Sequence, residues 1–161
     1  MKHRRFHPPA PGTATKGRLS PLRERLAYAA FGLLWASGVG WLVFRYVLRV
    51  PGEFGELPHP LEAWWLCLHG AAAFFALWLL GVLWPVHLLP AWKARRRSSG
   101  IALSMMTAWL VLSGFLLYYA GDERGRALIG LLHWAVGVAI PLPFLWHALR
   151  GRSASRRRSS S

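Results

Sequence analysis

Cysteine occurs once in this chain, at Cys67, and acidic residues number six against 20 Lys and Arg. A single cysteine excludes an intramolecular disulfide, and in an apolar run it reads as a small helix residue. The shortage of acids leaves a formal charge of +14. In a soluble protein that balance would point to nucleic acid, but charge is missing altogether from four long stretches: Leu26–Phe44, Ala63–Trp92, Ser98–Gly121 and Ala127–Leu149. A helix rising about 1.5 Å per residue needs roughly 20 residues to cross about 30 Å of hydrocarbon. Each stretch is long enough, and 54% of the 161 residues are hydrophobic. The chain is therefore expected to be an all-α membrane protein with the lipid bilayer as its surroundings and no nucleic-acid partner.

The cations set the expected orientation. Seven precede the first apolar stretch (Lys2, Arg4, Arg5, Lys16, Arg18, Arg23, Arg25), four lie between the second and third (Lys93, Arg95, Arg96, Arg97), and five follow the last (Arg150, Arg152, Arg156, Arg157, Arg158). These 16 share one side, leaving Arg45, Arg49, Arg124 and Arg126 on the other with most of the acids. The positive-inside rule places the 16 in the cytoplasm, with both termini. The first stretch is not read as a cleaved signal peptide, because about 25 residues precede it and no small-x-small cleavage site follows.

Three segments are expected: a basic, Pro-bearing tail over 1–25, a transmembrane domain over 26–150, and a Ser/Arg-rich tail over 151–161, with both tails disordered. Val50–Glu62 carries Pro51, Gly52, Gly55, Pro58 and Pro60 and reads as a loop, and Gly121–Arg126 is barely a turn. Short links make neighbouring helices antiparallel, giving a four-transmembrane-helix up-and-down bundle in which helices two and four run the same way. Trp64, Trp65 and Trp92 fit aromatic belts at helix ends.

Ionisable side chains within membrane helices are functional candidates. The apolar stretches hold four histidines: His69 and His87 on helix two, His133 and His147 on helix four. The 18-residue step between the first two is five helical turns, and the 14-residue step between the others falls about 40° short of four, so each pair shares a face. With the helices parallel, His69 should meet His133 at the outer level and His87 should meet His147 at the inner level. The axial separations, about 27 Å and 21 Å, require tilt or a kink at Pro85 to agree.

Two facing imidazoles at two depths are the ligand set for two six-coordinate haems, one iron between His69 and His133 and one between His87 and His147. Bis-ligated iron passes electrons and binds no oxygen, and without a C-x-x-C-H run the haem would be noncovalent haem b. Gly130 and Gly137 flank His133, and Gly100 and Gly114 repeat the 14-residue step on helix three. They would admit a flat porphyrin or tighten helix packing. Arg45 would meet a propionate or snorkel to the surface. His3, His7 and His59 read as solvated, with His59 the one substitute ligand in a loop. The competing class is a haem-free scaffold or small transporter whose histidines bond between helices or bind a transition metal.

Two histidine-bearing parallel helices in a four-helix membrane bundle resemble the di-haem cytochrome b core of quinol–cytochrome c oxidoreductases. The run Val86-His87-Leu88-Leu89-Pro90-Ala91-Trp92-Lys93, then Arg97-Ser98-Ser99-Gly100, Tyr118-Tyr119-Ala120-Gly121-Asp122-Glu123 and Leu132-His133-Trp134, is similar to a family of small bacterial cytochrome b-like membrane proteins. The likeness covers roughly Glu62 to Arg152. It implies electron transfer through haem b in a bacterial inner membrane, as a subunit linked to quinone and to a periplasmic cytochrome or other redox partner. The histidine spacing on helix two is longer than usual in the respiratory core, and no quinone-site motif is recognisable.

Overall fold

In a computed structural model, residues 19–90 and 98–159 are described. They form α1 (Pro21–Tyr46), a hairpin of β1 (Val50–Gly52) and β2 (Gly55–Leu57), α2 (Glu62–Leu83), a π turn over Trp84–Leu88, α3 (Ser98–Tyr119), α4 (Glu123–Ala139) and α5 (Pro141–Ser159). Four helical spans are long and apolar enough to cross a membrane: Pro21–Tyr46, Glu62–Leu88, Ser99–Tyr119 and Glu123–Arg150. A multi-pass membrane protein follows from them. Few side chains are buried, and many large apolar ones, such as Phe74, Trp78, Met105 and Leu142, face outward, where lipid rather than water would receive them.

The helix ends depart from the sequence expectation. α1 begins at Pro21, inside the segment expected to be a disordered tail, because Ser20 caps it and Pro21 takes the first helical position. The Ser20 hydroxyl accepts from Arg23 N at 3.4 Å, and a proline there wastes no donor. Residues 1–18, with His3, His7 and five of the cations, lie outside the described residues, as do 91–97 with Trp92 and four more. At the other end the backbone stays helical to Ser159, where a disordered tail was expected from residue 151. Beyond Gly151 that segment has no glycine or proline to stop it.

The fourth expected helix is two helical segments meeting at Ile140. Pro141 and Pro143 have no N–H to offer the carbonyls one turn back, and regular bonding resumes with Phe144 N donating to Ile140 O at 3.2 Å. α4 itself starts cleanly, because the Asp122 carboxylate accepts from Gly125 N at 2.6 Å.

The connection expected to be a plain loop contains an antiparallel hairpin with Val50 opposite Leu57 and Gly52 opposite Gly55. Gly55 turns the chain at φ +125°, a region that favours glycine. Arg49 ties the hairpin to α1 by donating to Glu56 O at 3.2 Å and Arg45 O at 3.3 Å.

α1 packs along α2, and α3 packs along α4 and α5. At Gly40 a Cβ would lie 2.5 Å from Trp65, so α1 and α2 meet closely only because position 40 has no side chain. Trp65 also stacks on Phe44 at 6.0 Å and is therefore packed between helices, whereas Trp64 is exposed, as an aromatic belt requires. Phe31 of α1 stacks on Phe144 of α5 at 4.0 Å. Between α2 and the α4–α5 pair, which carry the histidines, no comparable backbone packing exists among the described residues.

Candidate functional site

The histidines of α2 face those of α4 and α5 across that gap. The His69 and His133 rings have centroids 6.4 Å apart with planes at 87°. His87, within the π turn, and His147 are 6.2 Å apart at 83°. The structure thus brings together the two pairs that helix parallelism implied, the first toward the hairpin end and the second toward the opposite, basic end. His59 joins neither. It is half-buried against Phe44 at 4.7 Å, and its Nδ1 accepts from Leu61 N at 3.1 Å, so it is not the solvated side chain expected.

His69, His133 and His147 each have a serine at Nδ1. His69 Nδ1 lies 3.1 Å from Leu34 O and 3.2 Å from Ser37 Oγ. A carbonyl only accepts, so Nδ1 carries the proton, and the Ser37 hydroxyl donates its own to Leu34 O at 3.0 Å. His133 Nδ1 lies 2.8 Å from Ser113 Oγ. That hydroxyl donates to Trp109 O at 2.7 Å, which leaves its oxygen to accept from His133. His147 Nδ1 lies 3.4 Å from Ser99 Oγ. With Nδ1 protonated on His69 and His133, each Nε2 bears the free lone pair. Ser37 and Ser113 are 0% exposed.

A glycine follows each of these serines. A Cβ on Gly38 would sit 3.0 Å from His69 Cε1, and one on Gly114 or Gly100 would sit 3.4 Å from Cε1 of His133 or His147 respectively. Three Ser-Gly dipeptides therefore cradle three histidines: Ser37-Gly38, Ser113-Gly114 and Ser99-Gly100. The sequence reading used Gly100 and Gly114 but missed the serines, although Ser99 and Ser113 show the same 14-residue step as His147 and His133. Gly130 and Gly137 do something else, since their Cβ atoms would only meet Leu117 and Leu110 at 3.8 Å.

Arg45 neither stands free nor reaches a histidine. It pairs with Glu62 at 3.1 Å, clamping the end of α1 to the start of α2. Two indole donors, Trp41 Nε1 and Trp109 Nε1, are buried without an acceptor. They lie one turn along their helices from Ser37 and Ser113. Unsatisfied buried donors are uncommon and mark places where an acceptor is missing. No third His, Cys, Asp or Glu joins either histidine pair among the described residues.

Two imidazoles bound on opposite sides of one metal, with bonds of about 2.0 Å and a ring radius of about 1.1 Å, have centroids about 6.2 Å apart. Both pairs stand at that separation. A bare transition metal would need further protein ligands, whereas a metalloporphyrin brings its own equatorial four. The residues fit such a group: facing imidazole pairs, with Nε2 left free on His69 and His133, glycines where side chains would crowd the rings, and two donors awaiting acceptors. No protein-family model, curated protein or solved structure matches the chain.

Proposed function

We propose that the protein is a membrane-spanning b-type cytochrome carrying two noncovalent haems, one between His69 and His133 and one between His87 and His147. The observation that supports it most is the separation of both ring pairs, 6.4 and 6.2 Å, at the value for two imidazoles on one metal. Bound at these positions, haem supplies a reversible one-electron couple with no open coordination site. The chain's own residues do the rest. Leu34 O, Ser37 and Ser113 hold the ring tautomers, Gly38, Gly100 and Gly114 admit the rings, and the apolar helices exclude water.

In the haem-free alternative the histidines bond between helices or bind a transition metal. The Nδ1 contacts of His69 with α1 and of His133 with α3 are interhelical bonds of that kind, but they use only one nitrogen of each ring and do not account for the two rings facing each other at 6.4 Å. With the 16-to-4 division of cations, the chain is read as an up-and-down bundle in a bacterial inner membrane, both termini cytoplasmic and the His69–His133 pair outermost. Electrons would pass between the two faces, with quinone on one side and a periplasmic redox protein on the other as the partners this placement suits.

Protein purified after expression with ample haem supply should contain two haems per chain, extractable into acid acetone, with a sharp Soret band and a reduced α band. Protein that is folded but colourless would sink the proposal and favour the scaffold.

A further inference from the structure

We propose that Ser113 and Ser37 are potential-setting residues of the outer centre, holding its two imidazoles electron-rich and so stabilising the oxidised state. This rests on the haem reading above. A hydrogen bond accepted from Nδ1–H draws the proton away from the ring and raises the basicity of Nε2. A more basic axial ligand favours ferric over ferrous iron. Ser113 is the sole hydrogen-bond partner of His133 among the described residues, and its bond, 2.8 Å, is shorter than either contact at His69 Nδ1. The Ser113 hydroxyl cannot turn away, because it is fully buried and its own proton is committed to Trp109 O at 2.7 Å. At His69 the duty is shared, since Leu34 O lies as close to Nδ1 as Ser37 does.

The two serines should therefore differ in effect. Ser113→Ala leaves His133 without an acceptor, whereas Ser37→Ala leaves Leu34 O in place. Both changes remove only an oxygen, so the packing around the rings is kept.

The test is an optical redox titration of the haem-loaded full chain and the two variants in detergent. Ser113→Ala should move the outer couple to more positive potential by up to tenfold in the ferric-to-ferrous equilibrium, about 59 mV for one electron. Ser37→Ala should move it the same way by less, and the inner couple should stay fixed in both. An outer couple unmoved in Ser113→Ala, an equal shift of both couples, or loss of the outer haem from both variants would each overturn the proposal. The first two results leave haem bound, so they are distinguishable from failure of the cytochrome reading, in which the parent itself carries none.

Discussion

At His133 a single serine oxygen fixes which ring nitrogen is free, and a neighbouring glycine fixes how near the ring can sit. The histidines themselves could be read from the sequence, because an imidazole in an uncharged apolar stretch is conspicuous and its partner follows from helical periodicity. Ser37, Ser99 and Ser113 could not, because serine is common in membrane helices and usually bonds back to its own helix. Only contact across helices reveals the second bond. Gly114 offers a direct check. Gly114→Val would place methyl groups inside the space held by His133 Cε1, 3.4 Å from where a Cβ would lie, and the outer haem should be lost. Gly130→Ala, whose Cβ meets only Leu117 at 3.8 Å, should retain both haems. Equal haem content in the two variants would show that the cradle is unimportant. The ring planes give a second check. Near-perpendicular imidazoles at 87° and 83° interact with different iron π orbitals and leave those orbitals almost degenerate. The oxidised protein should then show a highly anisotropic low-spin electron paramagnetic resonance signal from each centre. A three-line rhombic spectrum would mean parallel rings.

At the scale of elements, each histidine-bearing span carries a proline irregularity after its first histidine. On the first span it is the π turn of Trp84–Leu88, where Leu89 N reaches back to Trp84 O; on the other it is the break at Ile140, before Pro141. A π turn spends an extra residue per turn, which takes up part of the difference between the 18-residue and 14-residue steps. A kink at Pro85 was legible from the sequence, but its form was not, because proline removes a donor without dictating which carbonyl the next turn will use. The hairpin was missed because Pro51 and Gly52 favour turns, and three-residue strands leave too short a pattern to count. The packing of α1 on α2 was also illegible, since Gly40 announces no partner. Gly40→Ala should force a Cβ to within 2.5 Å of Trp65 and lower stability by about 1–3 kcal/mol, read as a lower thermal midpoint in detergent. Trp65→Ala on that background should recover part of the loss. Simple addition of the two losses would place the strain elsewhere.

At the scale of the whole molecule, the proposed function needs an oriented bundle with two haem sites stacked along it. The orientation rests on charge alone, and a periplasm-active reporter should be silent when fused after Ser161 and active when inserted near Gly55. Signal from the C-terminal fusion would invert the proposed electron route without altering the pairs. The four spans were legible because apolar length is a property of each segment by itself. The gap between α2 and the α4–α5 pair was not, because it depends on how all the helices meet.

The central claim is the pairing, and haem content per chain in histidine variants tests it most directly. If His69 and His133 serve one iron, then His69→Ala, His133→Ala and their double variant should each retain one haem per chain, because residues acting as one unit are non-additive. Combining His69→Ala with His87→Ala should leave none. Loss of both haems from the His69→Ala, His133→Ala double variant, or retention of one in the His69→Ala, His87→Ala combination, would contradict the account.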